Sequence, residues 1–201
     1  MRAAVIVGLS FGVFLAMGTY CRAEPLVIGS NFTHRIPAQG TGEAFMDDAV
    51  LTVMQHAHIM DLDVYLDITH ENVIDLKIYL SSPAGQCIEL KDDTLMGLYF
   101  KEEEPWSNMH GTIFDDEANL YMSDVSSPYT GRFRPDGGAL SVFDDQDVYG
   151  DWTLEIYDMA YGNIGILDRW ELHFDVIHTP EPSSLGCFGL LVIYGMLRKR
   201  R

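Results

Sequence analysis

Asp61-Leu62-Asp63-Val64-Tyr65-Leu66-Asp67-Ile68, followed by Ile74-Asp75-Leu76-Lys77-Ile78-Tyr79-Leu80, decides how this chain folds. Leu62, Val64, Leu66 and Ile68 fall on one side of a two-residue repeat, with Asp61, Asp63, Tyr65 and Asp67 on the other. An extended strand turns successive side chains to opposite faces, whereas a helix brings an apolar residue back to the same face only after three or four positions. The pattern therefore specifies a strand with one buried and one wet face. Ile74, Leu76, Ile78 and Leu80 repeat it against Asp75, Lys77 and Tyr79. Ser81-Ser82-Pro83-Ala84-Gly85 then supplies turn chemistry before a short strand from Cys87 to Leu90.

The same period recurs downstream. Trp152, Leu154 and Ile156 make one face of a later strand; after a turn around Gly162 to Gly165, Trp170, Leu172, Phe174 and Val176 make one face of the last. No stretch carries an amphipathic helix of three turns. Short strands separated by turns predict an all-β, antiparallel sandwich or barrel. The segment from Lys91 to Ser127 is less regular, and its Lys101-Glu102-Glu103-Glu104-Pro105 reads as a solvated loop tip.

With 201 residues, 47% hydrophobic and 11% aromatic, the chain has material for one packed core and is not of the disordered class. Its formal charge is −17; from Glu24 to Thr179 there are 29 acidic and 7 basic residues, a net of −22. Such a surface repels nucleic-acid phosphates and anionic lipid, so nucleic acid is not an expected partner, while cations and neutral or basic surfaces are. The plainer reading of the same excess is solubility outside the cell. Of Cys21, Cys87 and Cys187, only Cys87 lies outside the terminal segments, so the processed domain is expected to lack an internal disulfide.

Both ends read as addresses. Arg2, the apolar run Ala3 to Met17 and Cys21-Arg22-Ala23 have the order of a secretory signal peptide, assigned to residues 1–23. At the other end, Pro180-Glu181-Pro182 precedes an apolar run from Leu185 to Leu197 and the basic Arg198-Lys199-Arg200-Arg201. A helix of that run spans only about 20 Å at about 1.5 Å per residue, short of the roughly 30 Å hydrocarbon core. It suits transient membrane insertion with the basic end on the cytoplasmic side, and an ordinary tail anchor is the competing reading. Residues 177–201 resemble the PEP-CTERM sorting signal, which implies cleavage near Pro180-Glu181-Pro182 by an exosortase-like partner. Residues 24–38 are read as a lead-in to the folded domain.

Within residues 39–176, six blocks follow one order: Asp67-Ile68-Thr69-His70 with Asp75-Leu76-Lys77-Ile78-Tyr79-Leu80-Ser81-Ser82-Pro83-Ala84-Gly85; Gly111-Thr112-Ile113-Phe114-Asp115-Asp116-Glu117-Ala118; Tyr129-Thr130-Gly131-Arg132-Phe133-Arg134-Pro135; Leu140-Ser141-Val142-Phe143; Gly150-Asp151-Trp152-Thr153-Leu154; and Asp158 with Gly165 and Trp170-Glu171-Leu172. The series resembles the proprotein convertase P domain. Asp145 and Gln146, where a Gly-containing turn is common, and Asp151, where small or polar residues are usual, depart from it modestly. The resemblance implies a jelly-roll-like antiparallel β-sandwich of about eight strands. It also implies the family's usual partnership with a subtilisin-like protease, whose folding and stability the domain supports.

Asp75, Asp115, Asp116 and Asp158 coincide with family landmarks at strand ends or turns. Hard oxygen ligands from several loops can converge at one end of a sandwich, which makes calcium the cofactor to expect; the competing reading is that each aspartate accepts hydrogen bonds within its own turn. His56-Ala57-His58 sets two imidazoles on one side of a strand, a weaker basis for zinc, and His70 fits a hydrogen-bonded structural histidine. No serine lies in a Gly-x-Ser-x-Gly elbow, and no EF-hand, phosphate loop or dinucleotide fingerprint is present. The expectation is a non-catalytic, secreted surface or matrix module that binds polysaccharide or another secreted protein. The alternative is an accessory or stabilising domain for a separately encoded secreted subtilisin-like protease.

Overall fold

The computed structural model describes residues 22–39, 46–92, 107–125 and 127–178. The sorting motif Pro180, Glu181, Pro182, the apolar tail and nearly all of the signal segment lie outside them. Nine strands occur among the described residues: β1 (Glu24–Ile36), β2 (Ala49–Val53), β3 (His58–His70), β4 (Leu76–Ser81), β5 (Cys87–Lys91), β6 (Met109–Phe114), β7 (Tyr129–Phe133), β8 (Gly150–Asp158) and β9 (Gly165–Ile177). They form a five-stranded sheet, ordered β1-β9-β3-β6-β7, and a four-stranded sheet, ordered β2-β8-β4-β5. Helix among the described residues is confined to short 3-10 turns at Val73–Asp75, Met122–Asp124 and Leu140–Phe143. This is the all-β sandwich that the two-residue period predicts.

The period sets the packing. Leu62, Val64, Leu66 and Ile68 of β3 are buried, as are Leu76, Ile78 and Leu80 of β4, Trp152, Leu154 and Ile156 of β8, and Trp170, Leu172, Phe174 and Val176 of β9, all in one continuous core. Trp152 is, with Trp170, its largest member. It meets Phe143 and Phe174 edge-on at centroid distances of 5.3 and 5.4 Å, the arrangement that ring quadrupoles favour. Its indole Nε1 donates to the Val148 carbonyl at 3.0 Å, so its one polar atom is satisfied inside the core.

Two features depart from expectation. The lead-in residues form a full edge strand: β1 pairs with β9 from Glu24 opposite Val176 to Ile36 opposite Gly165, with a bulge between Asn31 and His34. Its alternation is shallow because Leu26, Ile28 and Phe32 only half-bury against the core. The neighbouring Glu171 side chain also needs room, for a Cβ on Gly29 would stand 2.6 Å from the Glu171 Cγ. Secondly, the sandwich is not wholly antiparallel. β6 and β7 pair in parallel, Met109 opposite Tyr129 and Phe114 opposite Phe133. A tight hairpin cannot join parallel neighbours, and the chain between them crosses over through 115–128, including the Met122–Asp124 turn.

Candidate functional site

Strand alternation carries polar groups into the interior at one end of the sandwich. In β3 the inward phase Leu62, Val64, Leu66, Ile68 continues to His70, and in β8 the phase Trp152, Leu154, Ile156 continues to Asp158. Both strands run out of apolar residues where the sheets still face each other. Their polar side chains, both fully buried, meet: His70 Nε2 and Asp158 Oδ2 are 3.2 Å apart. The other ring nitrogen, Nδ1, accepts the Asn72 backbone N–H at 3.0 Å, so Nε2 carries the hydrogen and donates it to Asp158. Asp158 Oδ1 accepts from the Ala160 N–H at 2.9 Å.

Asp75 completes this end. It is buried, its Oδ2 accepts from Asn72 Nδ2 at 2.7 Å, and its carbonyl accepts the Met159 N–H at 2.9 Å. Burial, and then the charge of Asp158, raises the Asp75 carboxyl above its ordinary range. The counter-charge nearby is Lys91, a fully buried ammonium that donates to the carbonyls of Leu76 at 2.7 Å, Asp92 at 3.0 Å and Ile74 at 3.3 Å. Three carbonyl acceptors replace the water lost on burial. Reading the sequence missed Lys91, because two-residue alternation puts it in the outward phase of Cys87 and Glu89, and only the register shift between Ile78 and Tyr79 sets it opposite inward-facing Ile78. Beside His70 a cleft of about 420 Å3 opens between Thr33, Arg35, Glu71, Asn108 and Ile166. Its floor is tight, since a Cβ on Gly165 would lie 2.3 Å from His70 Cδ2 and 2.8 Å from the Thr69 carbonyl.

Asp115 and Asp116 lie elsewhere. Val64 pairs with Phe114 and Ile68 with Met109, so the chain leaving β6 at Asp115 emerges beside Asp63, at the opposite end of β3 from His70. The separation along β3 is on the order of 20 Å at about 3.3 Å per residue. There the Arg132 guanidinium bridges Asp115 Oδ2 at 2.6 Å and Asp63 Oδ2 at 2.7 Å, and the Glu117 N–H donates to Asp115 Oδ1 at 2.7 Å. Burial alone would raise the Asp115 carboxyl, but these donors outweigh it and hold it below its ordinary value. Asp116 accepts the N–H groups of Leu140 and Ser141 at 2.7 and 2.9 Å, which caps the Leu140–Phe143 turn.

The four aspartates therefore make two separate pairs and do not form one calcium shell. Among the described residues no group of three or more His, Cys, Asp or Glu side chains is placed to hold a metal ion. The two histidines of the other metal candidate also part company. His56 Nδ1 pairs with Asp147 Oδ2 at 2.6 Å while its ring stacks on Tyr149, and His58 Nδ1 donates to the Asp145 carbonyl at 3.0 Å. A further polar group, absent from the sequence reading as a site, sits on the outer face of the larger sheet. Glu171 there holds Arg169 and accepts from His173 Nε2 at 2.5 Å, and His173 stacks parallel to Tyr65. Burial would raise the Glu171 carboxyl, yet its bonds to His173 and Arg169 bring it below its ordinary value.

The all-β sandwich is thus tied at one end by a buried histidine–carboxylate pair and at the other by a bridging arginine. Residues 59–174 match the model of the proprotein convertase P-domain family. That is more than half of the chain, and the chain belongs to this family. No curated protein matches it. Among solved structures it is similar to the Aeromonas sobria serine protease in complex with its chaperone, at 16% identity and a TM-score of 0.49. It is also similar to the Aeromonas sobria serine protease itself, at 18% identity and a TM-score of 0.47. In each case the alignment covers 78% of this chain and 27% of the other.

Proposed function

We propose that this P domain is a non-catalytic partner of a secreted subtilisin-like protease, which it stabilises by docking against the protease's catalytic domain. The observation that carries the reading is membership of the convertase P-domain family across residues 59–174. The chemistry of the polar end is in keeping with it. His70 has both ring nitrogens engaged, one accepting from Asn72 and one donating to Asp158, and its side chain is fully buried. A general base needs a ring nitrogen within reach of a substrate proton, so the geometry favours a clamp between sheets over a proton shuttle. The test is to incubate the full chain with secreted subtilisin-like proteases from its own source and follow the half-life of proteolytic activity at rising temperature. A longer half-life with co-elution of the two proteins supports the reading. Unchanged half-life and separate elution overturn it, and retention on the source's own envelope polysaccharide instead would return the domain to the matrix-binding role.

Surface sorting is a separate part of the proposal, supported by the order of Pro180-Glu181-Pro182, apolar run and basic end in the sequence. Cleavage by an exosortase-like enzyme removes the basic end. Mass spectrometry of the surface form should show a chain without Arg201, and an intact C-terminus would sink this part alone.

A further inference from the structure

We propose that the outer face of the four-stranded sheet is a receptor for an arginine side chain presented by a partner protein. The residues that alternate outward on β4 and β8 place Lys77 opposite Tyr157 and Tyr79 opposite Glu155, while Glu89 of β5 flanks Tyr79 on its other side. The two tyrosine rings meet at 80° with centroids 5.9 Å apart. They form a corner in a groove of about 560 Å3 lined by Lys77, Tyr79, Cys87, Glu155, Tyr157 and Met159.

The field in this corner is negative. The Tyr157 hydroxyl donates to Glu155 Oε2 at 3.4 Å. Both phenols are raised above their ordinary range, first by burial and then by carboxylates: Glu89 at Tyr79, Glu155 and more weakly Asp48 at Tyr157. Among the described residues Lys77 is the one cation lining the groove, and it leans to one side, 3.1 Å from Asp92 and 3.9 Å from Glu89. One ammonium thus stands against four carboxylates around the corner, Glu89 and Asp92 beside it and Glu155 and Asp48 acting on Tyr157.

A guanidinium suits this corner better than the alternatives. It is planar and weakly hydrated, so it can lie on one tyrosine face while its N–H groups reach a carboxylate. An anion is repelled, and a neutral sugar gains the stacking without the charge. The inference stands whether or not the partner is a protease.

The test is to titrate the full chain with a hexaarginine peptide, and in separate arms with hexaglutamate and cellohexaose, while following the tyrosine ring resonances by NMR. Hexaarginine should shift Tyr79 and Tyr157 selectively, and the other two should not. Tyr157→Ala and the isosteric Glu155→Gln should each weaken binding by about fivefold, the scale of one exposed cation–π or ion contact. Asp175→Asn, an exposed carboxylate on the other sheet, should change it little. Retained melting temperature in Glu155→Gln keeps the test valid if Tyr157→Ala is unstable. Shifts spread over the whole acidic surface, equal weakening by Asp175→Asn, or preferential binding of cellohexaose would each overturn the proposal.

Discussion

His70, the last residue of β3 in the larger sheet, donates through Nε2 to Asp158, the last residue of β8 in the smaller sheet, at 3.2 Å with both side chains out of solvent. The bond ties the two sheets together where apolar packing ends. Removing one partner leaves the other buried without its bond, which costs more than the bond itself contributes. His70→Ala should destabilise the domain by about 2–4 kcal/mol, read by urea denaturation. Asp158→Asn, which keeps an acceptor for His70, should cost clearly less. Equal losses would show that His70 needs the charged carboxylate of Asp158 and not merely an acceptor, since the isosteric asparagine opens no cavity.

Two carboxylates should pull the acid response in opposite directions. Glu171 has a folded value below its ordinary one, so its stabilising contribution is full above the unfolded value near 4.5 and is lost as pH falls through the folded value. Asp75 has a folded value above its ordinary one, so its contribution is present below the unfolded value near 3.8 and is lost as pH rises through the folded value. Asp75→Asn should therefore raise the melting temperature at pH 7 and lose that advantage below about pH 4. Glu171→Gln should lower it at pH 7 and matter less in acid. Melting curves of both variants from pH 3 to 8 check the signs.

Gly165 is required by a close approach and not by a turn. The Cβ of alanine would come within 2.3 Å of His70 and 2.8 Å of the Thr69 carbonyl, and backbone cannot swing aside as a flexible side-chain tip can. Gly165→Ala should cost about 1–3 kcal/mol. The same change at Gly162, where φ is +102° but nothing lies within 4 Å, tests backbone strain alone. A larger loss at Gly162 would mean that crowding against His70 is relieved.

Asp116→Ala should cost about 0.5–2 kcal/mol by uncapping the Leu140–Phe143 turn. Because both Asp116 oxygens already accept backbone N–H groups, the loss should be the same with calcium and with chelator. A calcium-dependent difference in melting temperature would show that Asp116 contributes to a cation site after all.

The sequence by itself determined the class of fold, five of its strands and the inward faces of β3, β4, β8 and β9. A two-residue period is a local property, and burial of one face follows from it wherever a second such sheet is available. It also held the family blocks, since each combines an inward apolar residue with a turn or strand end. Edge strand β1 was hard to read because its alternation is weak. The parallel β6–β7 pair was hidden because strand direction depends on the path of the 115–128 crossover. The candidate site belonged to the tertiary structure alone. Asp75, Asp115, Asp116 and Asp158 look alike as aspartates at strand ends. Only the register of β3 against β6 and of β4 against β8 sends two of them to one end and two to the other. Lys91 and the Tyr79–Tyr157 corner likewise exist only once strands distant in sequence lie about 4.8 Å apart, because charge and ring geometry depend on distance through space.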